Sequence, residues 1–181
     1  MNLITSLNRK DFAELIASKI IQEKDRIKTQ YEVSKNKIGF FFIDDLLPQE
    51  ITTHIQSQFP SHEDMVLKKS LRENKFIAVQ MNQYAAVLEE LIYAFQDERV
   101  VNLIKDICEI NDLQPDENLY AGGLSSMKQS QFLNPHLDNS HDNERNSWRV
   151  LNLLIYVNHN WEDSRGGNLE IWTEGLKKDQ I

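Results

Sequence analysis

A histidine and an aspartate lie two positions apart, His136 and Asp138, within the sequence FLNPHLDNS. Successive side chains of an extended strand alternate between its two faces, so these two residues are expected to project to the same side. An imidazole and a carboxylate placed in this way can bind one metal ion together. One histidine and one carboxylate are two of the three ligands that make up the 2-His-1-carboxylate face, which holds Fe(II) and leaves positions open for oxygen and a co-substrate.

The segments around this pair predict a set of β-strands. Residues 119–121 are expected to begin the first strand of a barrel. After the pair, Arg149–Val157 (RVLNLLIYV) is a nearly continuous apolar run, which is typical of a strand buried on both faces. Gly166 and Gly167 then indicate a turn, and Asn168–Trp172 alternates like a further strand. This order predicts a β-barrel or jelly roll.

These segments carry a resemblance to a known family. The motifs FLNPHLDNS, RVLNLLIYVN and GGNLEIW resemble the 2-oxoglutarate/Fe(II) dioxygenase superfamily in its prolyl-4-hydroxylase-like branch, and FFIDDLLPQEI (41–51) is similar to the same branch. The resemblance is dense over 120–172 and patchy before it. It implies an α+β fold with a double-stranded β-helix core, jelly-roll or cupin-like, incomplete at its C-terminus and buttressed by N-terminal helices.

The resemblance also implies the ligands of the site. His136 and Asp138 match the iron ligands, and the third ligand, a distal histidine, is expected beyond Ile181 together with a basic residue for 2-oxoglutarate. Asn152 falls where the branch often has a polar residue in the 2-oxoglutarate pocket. Met127 stands where a tyrosine often precedes the metal pair, and Leu154 is taken as a further cofactor-binding residue. The implied cofactors are Fe(II), 2-oxoglutarate and O2, with ascorbate as a candidate addition.

Residues after the metal pair are candidates for substrate binding, because the resemblance places this loop at the mouth of the barrel. They are Asn139, His141 and Arg149. For His141, a hydrogen bond that supports a metal ligand and simple solvation are the alternatives to a substrate contact. Arg145 and Arg149 could each bind a carboxylate, and a structural ion pair is an equal alternative for Arg149. The expected reaction is hydroxylation of a C–H bond, since related halogenases have a small residue in place of Asp138. The substrate class stays open among a small molecule, a saccharide and a peptidyl side chain.

The first part of the chain reads mainly as helices that pack on a core. Asn8 with Asp11 resembles a helix N-cap. The apolar stripe of the following helix comprises Phe12, Ile16, Ile20, Ile27 and Tyr31. Further predicted helices cover 51–59, 84–95 and 100–110, predicted strands cover 38–43 and 76–81, and 61–73 reads as a loop. One domain is expected, with 1–115 mainly helical and 116–181 forming the first part of the barrel.

Composition limits the possible partners. The chain has 181 residues and a formal net charge of −8, which disfavours nucleic acid and anionic membranes as partners. Its one cysteine, Cys108, lies in an apolar helical stretch and is expected to be a buried, inert thiol. No signal peptide or membrane-spanning run is recognised, so a cytoplasmic location is expected.

Two other interpretations remain at this point. The chain could be a catalytically inactive or partial module that acts in protein interaction, with unpaired strand edges that favour a homodimer. Alternatively, His136 and Asp138 could form a zinc or nickel site together with His141 or His159.

Overall fold

The computed structural model describes residues 7–119, 122–142 and 146–172. The described helices are α1 (Arg9–Ser34), α2 (Gln49–Ser57), α3 (Ala86–Ala94) and α4 (Glu98–Cys108). The described strands are β1 (Val66–Lys69), β2 (Glu73–Ala78), β3 (Leu124–Ser126), β4 (Phe132–Leu133), β5 (His141–Asp142) and β6 (Ser147–Trp148). This mixture of helices and antiparallel strands confirms the α+β prediction. Within the described ranges, no helix is long and apolar enough to cross a membrane.

Helix α1 begins where the sequence predicts it. The side chain of Asn8 accepts hydrogen bonds from the backbone amides of Lys10 and Asp11, and the Asp11 carboxylate accepts one from the Asn8 amide at 2.9 Å. This capping box satisfies amides that have no partner within the helix. The predicted stripe is confirmed: four of its residues are buried and Tyr31 is half-buried against the same core.

Helices α3 and α4 pack against α1 and confirm two further predictions. Leu88 from α3 and Val100 and Ile107 from α4 are almost completely buried in the shared core. Cys108 at the end of α4 is also buried, and the loss of hydration raises the pKa of its thiol to about 11. The thiol is therefore protonated at neutral pH, as expected for an inert cysteine.

A four-stranded antiparallel sheet lies beside the helices, with β2 pairing on one side with β1 and on the other with β3 and β4. The predicted strand 76–81 overlaps β2. The prediction of a loop over 61–73 was wrong, because β1 lies within this stretch. The pairing of Glu73 with Leu133 and of Asn74 with Phe132 matters most for the site, because it holds the segment that leads to His136.

The prediction of a strand over 38–43 was wrong. Side chains of α1 bind its backbone: Ser34 Oγ accepts a hydrogen bond from the Phe40 amide at 2.9 Å, and Gln30 Oε1 accepts one from the Phe42 amide at 3.0 Å. These contacts replace those that a neighbouring strand would make, so the segment lies along α1 without joining the sheet.

The strands predicted over 149–157 and 168–172 were also wrong, since neither range has regular secondary structure. Leu151 and Val157 pack on the core, whereas Val150, Leu154 and Tyr156 are exposed. Leu153 is exposed as well, so burial alternates over only part of the run, and in the described residues no strand pairs with it. A jelly roll is accordingly not seen in the described part of the chain. The predicted first strand, 119–121, lies largely outside the described residues.

Candidate functional site

The segment that carries the metal-binding motif is anchored at Asn134. Strand β4 ends one residue earlier, and the Asn134 amide continues its pairing by donating to the carbonyl of Arg72 at 2.9 Å. The side-chain amide of Asn134 donates to the carbonyl of Leu71 at 3.0 Å. Asn134 is thus fixed to the turn between β1 and β2, and His136 follows it outside any regular strand.

The side chains of His136 and Asp138 face each other, as the spacing predicts. The distance from His136 Nε2 to Asp138 Oδ1 is 3.2 Å. On the other side of the ring, His136 Nδ1 lies 2.7 Å from the carbonyl oxygen of Asn134. A carbonyl only accepts, so Nδ1 must be the protonated donor. Nε2, the other ring nitrogen, faces the carboxylate.

This arrangement fits two ligands of a single metal ion. Metal-bound histidines usually donate their second ring N–H to a carbonyl or a carboxylate, which fixes the tautomer and the ring orientation. Adjacent ligands about 2.1 Å from an octahedral metal ion lie roughly 3 Å apart, close to the observed 3.2 Å. The side chains are 24% and 40% exposed, so an ion can approach them from solvent. The donor set is chemically suited to Fe(II), although it supplies only two ligands.

The other oxygen of Asp138 is bound by residues from the apolar run. Asn152 Nδ2 donates to Asp138 Oδ2 at 2.8 Å, and Arg149 Nη1 lies 3.4 Å from the same oxygen. Arg149 is itself positioned by its backbone amide, which donates to the carbonyl of Ser140 at 2.8 Å. The structure thus brings three predicted site residues, His136, Arg149 and Asn152, around the carboxylate of a fourth, Asp138.

His141 and Asn139 occupy a short hairpin next to this group. β5 and β6 pair in the register His141 to Trp148, and the two rings lie 4.6 Å apart. His141 Nε2 is 3.3 Å from Asn146 Oδ1, and the His141 amide donates to Asn139 Oδ1 at 3.4 Å. The hairpin contacts therefore account for the orientation of His141. Arg145 lies outside the described residues.

The alternative three-residue metal sites do not form in the described residues, where no cluster of three His, Cys, Asp or Glu side chains could hold a metal ion. His141 is held by the hairpin. His159 Nε2 lies 3.2 Å from Thr53 Oγ1 on α2, so it is engaged with a different element. The zinc or nickel triads proposed from sequence were wrong for this reason.

Met127 and Leu154, the other two predicted cofactor residues, are exposed at 45% and 51%. Met127 follows β3, and Leu154 lies two positions after Asn152 on the exposed side of the run. Sequence reasoning did not identify the role of Asn134. Its carbonyl fixes the His136 tautomer, and a backbone acceptor leaves no signal in residue type.

Comparison with known proteins concerns this same part of the chain. Residues 122–180, about a third of the chain, match a family model described as the 2OG-Fe(II) oxygenase superfamily. No curated protein and no solved structure matches the chain. The matched segment contains His136, Asp138, Arg149 and Asn152, and the match supports the 2OG-Fe(II) oxygenase superfamily for it.

Proposed function

We propose that this protein is an Fe(II)- and 2-oxoglutarate-dependent dioxygenase of the prolyl-4-hydroxylase-like branch, with a jelly-roll core around His136 and Asp138. The observation that carries the proposal is the approach of His136 Nε2 to Asp138 Oδ1 at 3.2 Å, while Nδ1 donates a hydrogen bond to a backbone carbonyl. That pair offers one imidazole nitrogen and one carboxylate oxygen on the same side, the mixed donor set that suits Fe(II). The family match over the same residues supports the 2OG-Fe(II) oxygenase superfamily, the broader part of this proposal.

The chain's own residues hold the donor atoms in place. Asn134 orients the His136 ring through its carbonyl, and its amide groups tie the segment to the turn between β1 and β2. His136 and Asp138 would hold the metal ion, and a third protein ligand would complete the facial set. When bound, Fe(II) with 2-oxoglutarate and O2 would supply the oxidation, in which one oxygen atom would enter a C–H bond and the other succinate, with release of CO2.

The remaining predicted residues keep the roles that the resemblance implies. Asn152, Met127 and Leu154 are proposed to neighbour 2-oxoglutarate, and Asn139, His141 and Arg149 are proposed to neighbour the substrate. The exposed indole of Trp148, packed on His141, offers an apolar surface at this position. A small molecule, a saccharide or a peptidyl side chain is the proposed substrate class.

Metal binding tests the proposal directly. Under anaerobic conditions, Fe(II) is titrated into the protein and into the variants His136→Ala and Asp138→Ala, with His159→Ala as the matched control because it contacts Thr53. We expect each ligand variant to lose most of the affinity and the control to bind like the parent. Formation of succinate from 2-oxoglutarate, measured in the same samples with O2 supplied, is expected to follow metal binding. If His136→Ala binds Fe(II) as tightly as the parent protein, the proposal is wrong.

A further inference from the structure

The two oxygens of the Asp138 carboxylate have different environments. Oδ1 faces His136 Nε2 at 3.2 Å, whereas Oδ2 accepts a hydrogen bond from Asn152 Nδ2 at 2.8 Å. Arg149 Nη1 lies 3.4 Å from Oδ2 as well. Asn152 and Arg149 thus both contact Oδ2, and Oδ1 is directed at the imidazole of His136. A carboxylate bound in this way is suited to bind a metal ion through Oδ1 alone.

We propose that Asn152 is a positioning residue for Asp138: its amide holds Oδ2 so that Oδ1 stays beside His136 Nε2. This inference rests on the proposed function, because it assumes that the pair binds a metal ion. It goes beyond that function, which takes Asn152 only as a neighbour of 2-oxoglutarate. The distinction is testable, since a co-substrate contact affects 2-oxoglutarate binding and a positioning residue affects metal binding in the absence of 2-oxoglutarate.

The exposure of the site makes such positioning necessary. Asp138 is 40% exposed, and the segment that carries it has no regular secondary structure. A carboxylate in such a place has free rotation about its terminal bond unless donors restrict it. The 2.8 Å hydrogen bond from Asn152 is the shorter of the two contacts to Oδ2, and an amide donor orients the carboxylate without adding a positive charge next to a cation.

The role of Arg149 in this arrangement is different. Its guanidinium neutralises part of the charge of Asp138, and its backbone amide ties it to Ser140 at the base of the hairpin formed by β5 and β6. A positive charge at this distance orients Oδ2 but also repels a metal cation, so the two effects on affinity oppose each other. Asn152 produces only the first effect. Its replacement therefore gives the cleaner test.

The experiment compares Asn152→Leu and Asn152→Ala with Asn158→Leu, an asparagine that is also exposed and lies in the same stretch of chain. Co(II) is titrated anaerobically without 2-oxoglutarate, and its visible d–d absorption reports both affinity and coordination geometry. We expect each Asn152 variant to raise the Kd by about ten-fold and to shift the absorption bands, because loss of a hydrogen-bond partner of a metal ligand typically costs 10- to 100-fold in affinity. Asn158→Leu is expected to leave both unchanged, and circular dichroism checks that every variant is folded.

Two results would overturn the inference in different ways. If His136→Ala loses Co(II) binding but the Asn152 variants bind Co(II) with the Kd and spectrum of the parent protein, the positioning role is wrong and the proposed function stands. If the parent protein does not bind Co(II), or if His136→Ala binds it equally well, the proposed function fails and this inference fails with it.

Discussion

The helical core and the run over 149–157 contain similar apolar residues but bury them very differently. In the core, Phe12 and Ile16 have no exposed surface and Leu88 is 1% exposed. In the run, Leu153 is 57% exposed and Leu154 is 51% exposed. A helix satisfies its own backbone hydrogen bonds and needs only a packing partner for one stripe. An apolar strand needs neighbours on its edges as well as on its faces.

The difference separates two kinds of information in the sequence. The stripe of α1 specifies both a conformation and a buried face, because one period of 3.6 residues encodes both. The run specifies a preference for strand, and Leu151 and Val157 do reach the core on one side. Its other side carries Asn152, which binds Asp138, so the exposed side of the run is also the side that faces the candidate site.

Truncating one leucine in each region gives the largest expected contrast. Leu88→Ala removes a side chain that is almost completely buried, and we expect it to lower the free energy of unfolding by about 2–5 kcal/mol. Leu154→Ala removes a half-exposed side chain and is expected to change it by less than about 0.5 kcal/mol. Urea denaturation followed by circular dichroism measures both. A cost for Leu154→Ala similar to that for Leu88→Ala would show that the run is packed in solution.

Two glycines offer a second contrast, one packed against the sheet and the other with open space around it. Gly123 has φ +136°, and a Cβ at this position would lie 2.5 Å from the carbonyl oxygen of Ala78 on β2. Gly123→Ala therefore combines backbone strain with a collision against the sheet, and we expect it to cost about 1–3 kcal/mol. Gly166 in the C-terminal region also has positive φ, at +69°, but a Cβ there would meet nothing within 4 Å.

The matched variant Gly166→Ala carries the strain without the collision, so its cost is expected to be the smaller of the two. Thermal unfolding of both variants in parallel measures the difference. Equal losses of stability would mean that the close approach of Gly123 to β2 contributes nothing to the cost of Gly123→Ala.

The sequence predicted helices well because their signals are local. The N-cap at Asn8, the stripe of α1 and the helices α3 and α4 each depend on residues within a few turns of one another. The segment 38–43 shows the limit of prediction from local signals. Its aromatic and β-branched residues favour a strand, but two polar side chains of α1 bind its backbone. Nothing within the segment indicates that partner.

The candidate site likewise has features that local spacing predicts and features that depend on distant contacts. A spacing of two residues is enough to predict that His136 and Asp138 lie on one side, and the structure places them 3.2 Å apart. The contact between Asn152 and Asp138 joins residues fourteen positions apart, so it depends on how two irregular segments approach each other. The tautomer of His136 depends on a backbone carbonyl. Neither feature could be derived from residue types.

Acid titration gives the smallest expected effect and tests the link between the sheet and the site. Glu73 on β2 pairs through its backbone with Leu133, and its side chain forms ion pairs with Lys75 at 3.2 Å and Arg72 at 3.3 Å. These two cations hold the pKa of the Glu73 carboxyl below its ordinary value, and the hydrogen bond from Lys75 has the larger effect. A carboxyl whose pKa is lower in the folded state stabilises the fold above the unfolded pKa, and this contribution is lost as pH falls through the folded pKa.

We therefore expect the parent protein to be more stable than Glu73→Gln near neutral pH, and the difference to shrink as the pH falls below about 4. Urea denaturation of both proteins between about pH 7 and about pH 3 measures it, with Glu63→Gln as a control at an exposed position. Because β2 holds β4 and β4 leads to Asn134, Glu73→Gln should also weaken Co(II) binding slightly at neutral pH. A stability difference that is independent of pH would show that the ion pairs of Glu73 do not stabilise the strand that carries the site.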